Sequence, residues 1–261
     1  MKYNLEVILL FLRDEALKTS AYSWIYDRLI VGKHLYQAPD PRRKEVVKEL
    51  DQRLALCADQ VFFNAEIIYE LFDECIAFSQ DYIIYPVVGL MKGYDCILTL
   101  DPEGHHAIIV DLLQFADYGP ELDKMMYMMR SMITDMIVKK LCRLYYPSKF
   151  VKGYQDLLIY HTFNYGLSQY LAWGPDIQNY LLKTEKYEEY RDRSLTLLHQ
   201  ALVETDGSSQ EVILKYAFDN DFWNRFGVIS GMFLWDYVYE NGGKDAILYT
   251  YKKGWKTFIK K

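Results

Sequence analysis

Between Glu121 and Tyr145 the apolar residues Leu122, Met125, Met126, Met129, Met132, Ile133, Met136, Ile137 and Leu141 recur at steps of three and four, the period of one helical face. A second face of the same stretch, made of Ser131, Thr134, Val138 and Cys142, is small and uncharged. A helix with so little charge on its flank is covered on both sides, so the pattern predicts a buried central helix. Gly119-Pro120-Glu121 supplies its start, with proline in the first turn and an acid at the positive end of the helix dipole. Tyr146-Pro147 supplies its end.

The helical period also runs from Leu5 to about Ser79, broken once at Gln37–Arg42, where Pro41 suits a first helical turn. A helix is expected from Lys44 to Leu56, continuing toward Phe72. Met1–Leu12 reads as a first helix and not as a signal peptide, because Glu6 interrupts the apolar run and Arg13-Asp14-Glu15 stands where a small-residue cleavage site would be. Between Tyr82 and Leu112 the pattern becomes β-rich. Tyr82–Leu90, Tyr94–Leu100 and His105–Leu112 are separated by Lys92-Gly93 and Asp101–Gly104, which are turn sequences, and predict a small sheet containing an antiparallel pair. Pro86 is expected to mark an edge strand or a bulge, since proline cannot donate to a ladder.

After the central helix, Gln155–Trp173 reads as a second buried helix stopped by Gly174-Pro175. Ile177–Val203 is more polar, with Lys183–Glu189 as a solvated helical face, and Asp206–Ser209 is expected to be a surface loop. Three tail helices are expected near Glu211–Ala217, Trp223–Tyr239 and Asp245–Tyr251, with Asn241-Gly242-Gly243 capping between the last two. The fold class is therefore α+β and mostly helical, with a small antiparallel-containing sheet beside a buried central helix. Residues 1–79 form a helical N-terminal layer. Residues 80–261 carry the sheet, the central helix at 120–146, the second helix at 155–173 and a helical C-terminal part, all in one compact unit.

Composition narrows the function classes. With 51% apolar residues in 261, the chain can bury a large core. A net charge of -6 argues against a general nucleic-acid binder, because phosphate backbones reward clustered cations. Arg42-Arg43-Lys44 and the Lys252–Lys261 segment are short and read as solvated surface. Cys57, Cys75, Cys96 and Cys142 are widely spaced with no paired motif, which fits reduced thiols and a cytoplasmic location. No apolar run is long enough to span a membrane.

The order of elements resembles that of the thermolysin-like zinc metallopeptidases, the gluzincins. In that family a sheet precedes a helix carrying His-Glu-x-x-His, and a later helix carries a ligand in a segment such as Glu-Gly-Leu-Ala-Glu-Tyr-Leu. Here the matching segments are Thr134-Asp135-Met136-Ile137-Val138 and Tyr165-Gly166-Leu167-Ser168-Gln169-Tyr170-Leu171, followed by a helix beginning Arg225-Phe226-Gly227. Position by position, the first histidine falls on Thr134, the general-base glutamate on Asp135, the second histidine on Val138 and the glutamate ligand on Tyr165, while Phe226 stands where a phenol is expected.

A catalytic zinc needs three protein donors, and these positions do not supply them. Val138 has no donor atom, Thr134 has a neutral hydroxyl, and a phenol of pKa about 10 stays protonated near neutrality. The resemblance thus implies a zincin-like protein without its zinc site, non-catalytic and without a cofactor. It would keep a cleft lined by Thr134, Asp135, Val138, Tyr165, His161 and Phe226, able to bind a peptide or protein. Two rivals remain at this stage: a hydrolase rebuilt around Asp135, His161 and His105 or His106, and a helical interaction protein whose resemblance is accidental. The bland reading of the six positions is ordinary core contact. His105 and His106, adjacent on a strand, should point to opposite faces. Gly166-Leu167-Ser168-Gln169-Tyr170 lacks the second glycine of a nucleophile elbow, Gly89–Gly93 lacks the end of a phosphate loop, and Cys142 reads as a packing residue.

Overall fold

The computed structural model describes residues 1–27, 29–30, 33–72, 82–173, 187–219 and 221–259. Gly174-Pro175, Cys75 and the Lys183–Lys186 part of the expected solvated face lie outside the described residues. In chain order the principal elements are β1 (Lys2–Tyr3), α1 (Glu6–Leu12), α2 (Ser23–Tyr26), β2 (Leu29–Ile30), β3 (Lys33–His34), α3 (Lys44–Cys57), α4 (Ala65–Leu71), β4 (Tyr82–Val87), β5 (Cys96–Leu100), β6 (His106–Asp111), α5 (Leu112–Phe115), α6 (Leu122–Tyr145), α7 (Tyr154–Trp173), α8 (Tyr187–Leu202), α9 (Gly207–Phe218) and α10 (Phe226–Lys253). The protein is mostly helical with one small mixed sheet, an α+β fold. No helix among the described residues is long and apolar enough to cross a membrane.

The chain divides into two compact units, Met1–Phe62 with Cys75–Thr134, and Phe63–Glu74 with Asp135–Lys261. The sheet is thus grouped with the N-terminal helices, and the division falls inside α6.

In the first unit the strand order is β1-β4-β6-β5, with β1 and β6 parallel to β4 and β5 antiparallel to β6. The expected antiparallel pair is therefore β5 and β6, joined through the Asp101–Gly104 turn. Two expectations need correcting. The chain does not open as a helix throughout, because Lys2 and Tyr3 pair with Ile83 and Ile84 before α1 begins. The helical stretch before Pro39 is also interrupted by the β2/β3 hairpin, in which Leu29 pairs with His34.

Pro86 sits in β4, an inner strand, opposite Val110 of β6. On the other side β1 reaches only Ile83 and Ile84, so the position of Pro86 is locally an edge and its missing N–H leaves no ladder bond unmade. Asp40 accepts the Arg42 N–H ahead of Pro41, as a capped proline-led start requires. Val7, Ile8 and Phe11 of α1 and Val47, Leu50 and Leu54 of α3 are buried, and α1 packs on both α3 and β4.

Both predicted faces of α6 are covered: Met125, Met129, Ile133, Ile137 and Leu141 are buried, and so are Ser131, Thr134, Val138 and Cys142. Burial pushes the Cys142 thiol up to about 12, consistent with a packing residue.

In the second unit α7 is buried along most of its length and packs against α10. The two helices touch backbone to backbone. A Cβ on Gly166 would collide with the main chain of Gly231, and one on Gly231 would collide with the Thr162 carbonyl. Trp235 locks the crossing by donating its indole N–H to the Phe163 carbonyl at 2.9 Å.

The Asp206–Ser209 segment is not a free loop. Asp206 accepts the Ser209 N–H at 2.8 Å and caps α9, whose first turn it opens. The last two expected helices are both present within Phe226–Lys253, here α10, and meet at a kink where Gly242 and Gly243 leave helical geometry, the latter at φ 61°, as the expected cap between them requires.

Candidate functional site

Asp135, Lys139 and Arg143 stand at successive helical turns of α6, so they line one ridge of the second unit. His161, Tyr165 and Ser168 do the same on α7. Lys139 Nζ lies 2.6 Å from Asp135 Oδ2. The Ser168 hydroxyl is 2.8 Å from Asp135 Oδ1 and 2.9 Å from the Tyr165 carbonyl, so its single proton is shared between two acceptors. Both oxygens of Asp135 are therefore engaged.

Tyr165 is the aromatic centre of this cluster. The Arg143 guanidinium donates from Nη2 to its phenol oxygen at 3.2 Å. Lys139 Nζ and Arg143 Cζ lie 5.6 and 5.8 Å from its ring centroid, within cation–π range. The His161 ring stacks on Tyr165 at 4.8 Å, and Phe218, at the end of α9, approaches both rings. Burial, with the Arg143 charge adding to it, pushes the His161 imidazole down to about 4, so this histidine is neutral near pH 7. Its Nδ1 is buried without a hydrogen-bond partner.

Arg225, the residue before α10, is half-buried. Burial lowers its pKa and the Asp135 charge acts in the opposite sense, while its Nε has no acceptor.

The six sequence-derived positions thus fare differently. Asp135, His161 and Tyr165 belong to one side-chain cluster, linked through Ser168 and the His161–Tyr165 stack. Val138 and Phe226 are buried. Thr134 is fully buried, and its hydroxyl donates to the Arg130 carbonyl one turn back at 2.8 Å, which is ordinary helix back-bonding. Fitted against a zinc ion, the set fails: Val138 offers no donor, Thr134 is turned onto its own backbone, Asp135 is held by Lys139 and Ser168, and the Tyr165 phenol oxygen accepts a hydrogen bond from Arg143.

Lys139, Arg143 and Phe218 were not among the expected site residues, and Ser168 and Arg225 entered only as members of the matched segments. The four-residue spacing of Asp135, Lys139 and Arg143 was a readable signal of one charged ridge, whereas the placement of Arg225 needed the tertiary fold.

His105 and His106 belong to the first unit. His106 lies in β6 with its ring 5.3 Å from that of Tyr82. His105 Nδ1 is 3.2 Å from Asp101 Oδ2 and 3.5 Å from Glu103 Oε2, and among the described residues these three form the one group of His, Cys, Asp or Glu donors close enough to share an ion. Neither Asp135 nor His161 is part of it. Asp101 already accepts the Glu103 and His105 N–H groups at 2.9 and 2.8 Å and the Tyr85 hydroxyl at 3.1 Å, so the group also has a plain role in closing the turn between β5 and β6.

The first unit also holds an open cavity of about 530 Å³ beyond the carboxyl ends of β4 and β6. Its carboxylates are all engaged. Asp111 accepts the N–H groups of Leu90 at 2.6 Å, Leu113 at 2.9 Å and Gln114 at 3.2 Å. Asp95 accepts the Tyr118 hydroxyl at 2.5 Å, Asp117 pairs with Arg43 at 2.7 Å, and Asp40 pairs with Arg42 at 2.8 Å. With its four carboxylates satisfied internally, this cavity presents a weaker case for ligand chemistry than the side-chain cluster around Tyr165.

No protein-family model, characterised protein or solved structure matches this chain.

Proposed function

We propose that this chain is a zincin-like, non-catalytic relative of the metallopeptidases that binds a peptide or a peptide-like segment of a protein in the cleft around Tyr165. One observation carries the reading. Where the resemblance puts the general base, Asp135 is tied at both oxygens by Lys139 and Ser168. A carboxylate so held has each oxygen committed to a neighbour, which anchors it between α6 and α7 where a general base must follow the reacting water. The donor chemistry at Thr134, Val138 and Tyr165 supports the same reading, because zinc cannot be held there and the water-activation that zinc supplies has no seat. The rim of Tyr165, His161 and Phe218 gives stacked and edge-on aromatic surface of the kind that receives side chains.

The test is to incubate the purified chain with a defined peptide mixture in the presence of zinc, and to follow both retention and cleavage by mass spectrometry. Peptides are expected to be retained intact, with retention lost on Tyr165→Ala. Zinc-dependent cleavage abolished by Asp135→Ala would contradict the reading and favour the rebuilt hydrolase.

A further inference from the structure

The charges in the cleft do not balance. Among the described residues the acid that acts on both Lys139 and Arg225 is Asp135, and Arg143 stands one helical turn beyond Lys139, although the chain as a whole carries a net charge of -6. Asp135 is engaged at both oxygens by Lys139 and Ser168, and among the described residues neither guanidinium has a carboxylate within ion-pair distance. Arg143 is exposed and spends one N–H on the Tyr165 phenol oxygen, leaving four of its five donors for a ligand. Arg225 has an Nε with no acceptor. His161, being neutral, adds no charge.

We propose that the cleft recognises the free C-terminal carboxylate of a peptide, with Arg143 as the principal clamp and Arg225 and Lys139 supplying the positive field. This rests on the peptide-binding reading given above and names the part of the ligand that the cleft selects. A planar guanidinium presents paired N–H groups that match the two oxygens of a carboxylate, and that match is directional where an ammonium is not. The neighbouring faces of Tyr165 and Phe218 fit an apolar or aromatic last side chain, so both halves of a terminal residue find complementary chemistry.

The experiment uses the full chain and a tetrapeptide library randomised at its last two positions, prepared once as free acids and once as C-terminal amides, with inorganic phosphate as a competitor. The acids are expected to bind about tenfold more tightly than the amides, the loss of one charge-assisted pair at a half-exposed site. Arg143→Gln should erase that difference, weakening the acids by about tenfold more than the amides. The exposed position of Arg143 makes this variant safe for folding, and Arg143→Lys should restore only part of the preference. Equal binding of acids and amides would overturn the carboxylate assignment and leave peptide binding standing. Phosphate that binds at Arg143 and displaces no peptide would overturn it in favour of a simple anion site. Retention of neither library would overturn both readings.

Discussion

Lys139 and Asp135 stand one helical turn apart on α6 with Nζ and Oδ2 2.6 Å from each other, and Ser168 reaches across from α7 to the other carboxylate oxygen at 2.8 Å. This three-residue bridge ties two helices of the second unit and neutralises the acid on which hydrolytic chemistry would depend. A double-mutant cycle on Asp135→Asn and Lys139→Met is expected to give a coupling of about 1 kcal/mol, more than an exposed pair of the same spacing. Chemical denaturation measures it. A coupling indistinguishable from zero would mean that the pair is decorative.

The crossing of α7 and α10 has no room for a side chain. Gly166→Ala or Gly231→Ala should each destabilise the chain by about 3 kcal/mol, because either Cβ would meet main-chain atoms and the helices would have to separate. Gly207→Ala serves as the control: its Cβ would meet nothing within 4 Å, and it should change stability by less than about 0.5 kcal/mol. Comparable unfolding midpoints for all three variants would disprove the close approach.

Asp111 is fully buried, and burial raises its carboxyl to about 6 despite the opposing N–H bonds from Leu90, Gln114 and Leu113. Below about pH 4 the group is protonated in folded and unfolded chains alike. Between about pH 4 and 6 the folded state keeps a proton that the unfolded state has released, so this group's contribution to stability is lost as the pH rises through that window, by about 2 to 3 kcal/mol. Carbon-detected titration of the Asp111 carboxyl checks the midpoint directly, and a value below 4 would refute it.

His161 gives the opposite sign. Its folded-state pKa is pushed down to about 4, so its stabilising contribution is complete above the unfolded value of about 6.5 and is lost as the pH falls toward 4. The His161 ring proton should show no titration through pH 5.5 in NMR spectra, and His161→Phe should weaken the acid-side loss of stability. A midpoint near 6.5 would place the ring in solvent and not against Tyr165.

Much of this fold was legible in the sequence because it rests on periodicity. The two covered faces of α6 follow from Met125, Met129 and Ile133 on one side and Thr134, Val138 and Cys142 on the other, and the turn between β5 and β6 follows from Asp101–Gly104. What escaped was set by tertiary contact. Two residues at the N-terminus carry no strand pattern of their own, and Lys2 and Tyr3 pair with β4 because the edge beside Ile83 and Ile84 is available. Pro86 was read as a mark of an outer strand, when the shortness of β1 creates a local edge inside the sheet. At the cleft, the resemblance pointed to Asp135 and Tyr165, and spacing put His161 one turn from Tyr165. Ser168 lies inside the matched segment but reads there as one more buried helix position, and Arg225, from elsewhere in the chain, has no local signature that separates it from an ordinary residue at a helix start.

The central claim is that the positions around Asp135 cannot hold zinc, and metal stoichiometry tests it most directly. Protein purified without chelator and equilibrated with zinc should carry no ion whose loss follows Asp135→Ala or His161→Ala. Any zinc retained should depend instead on Asp101, Glu103 and His105, or on neither group. One equivalent of zinc that survives dialysis and disappears in either the Asp135→Ala or the His161→Ala variant would contradict the account.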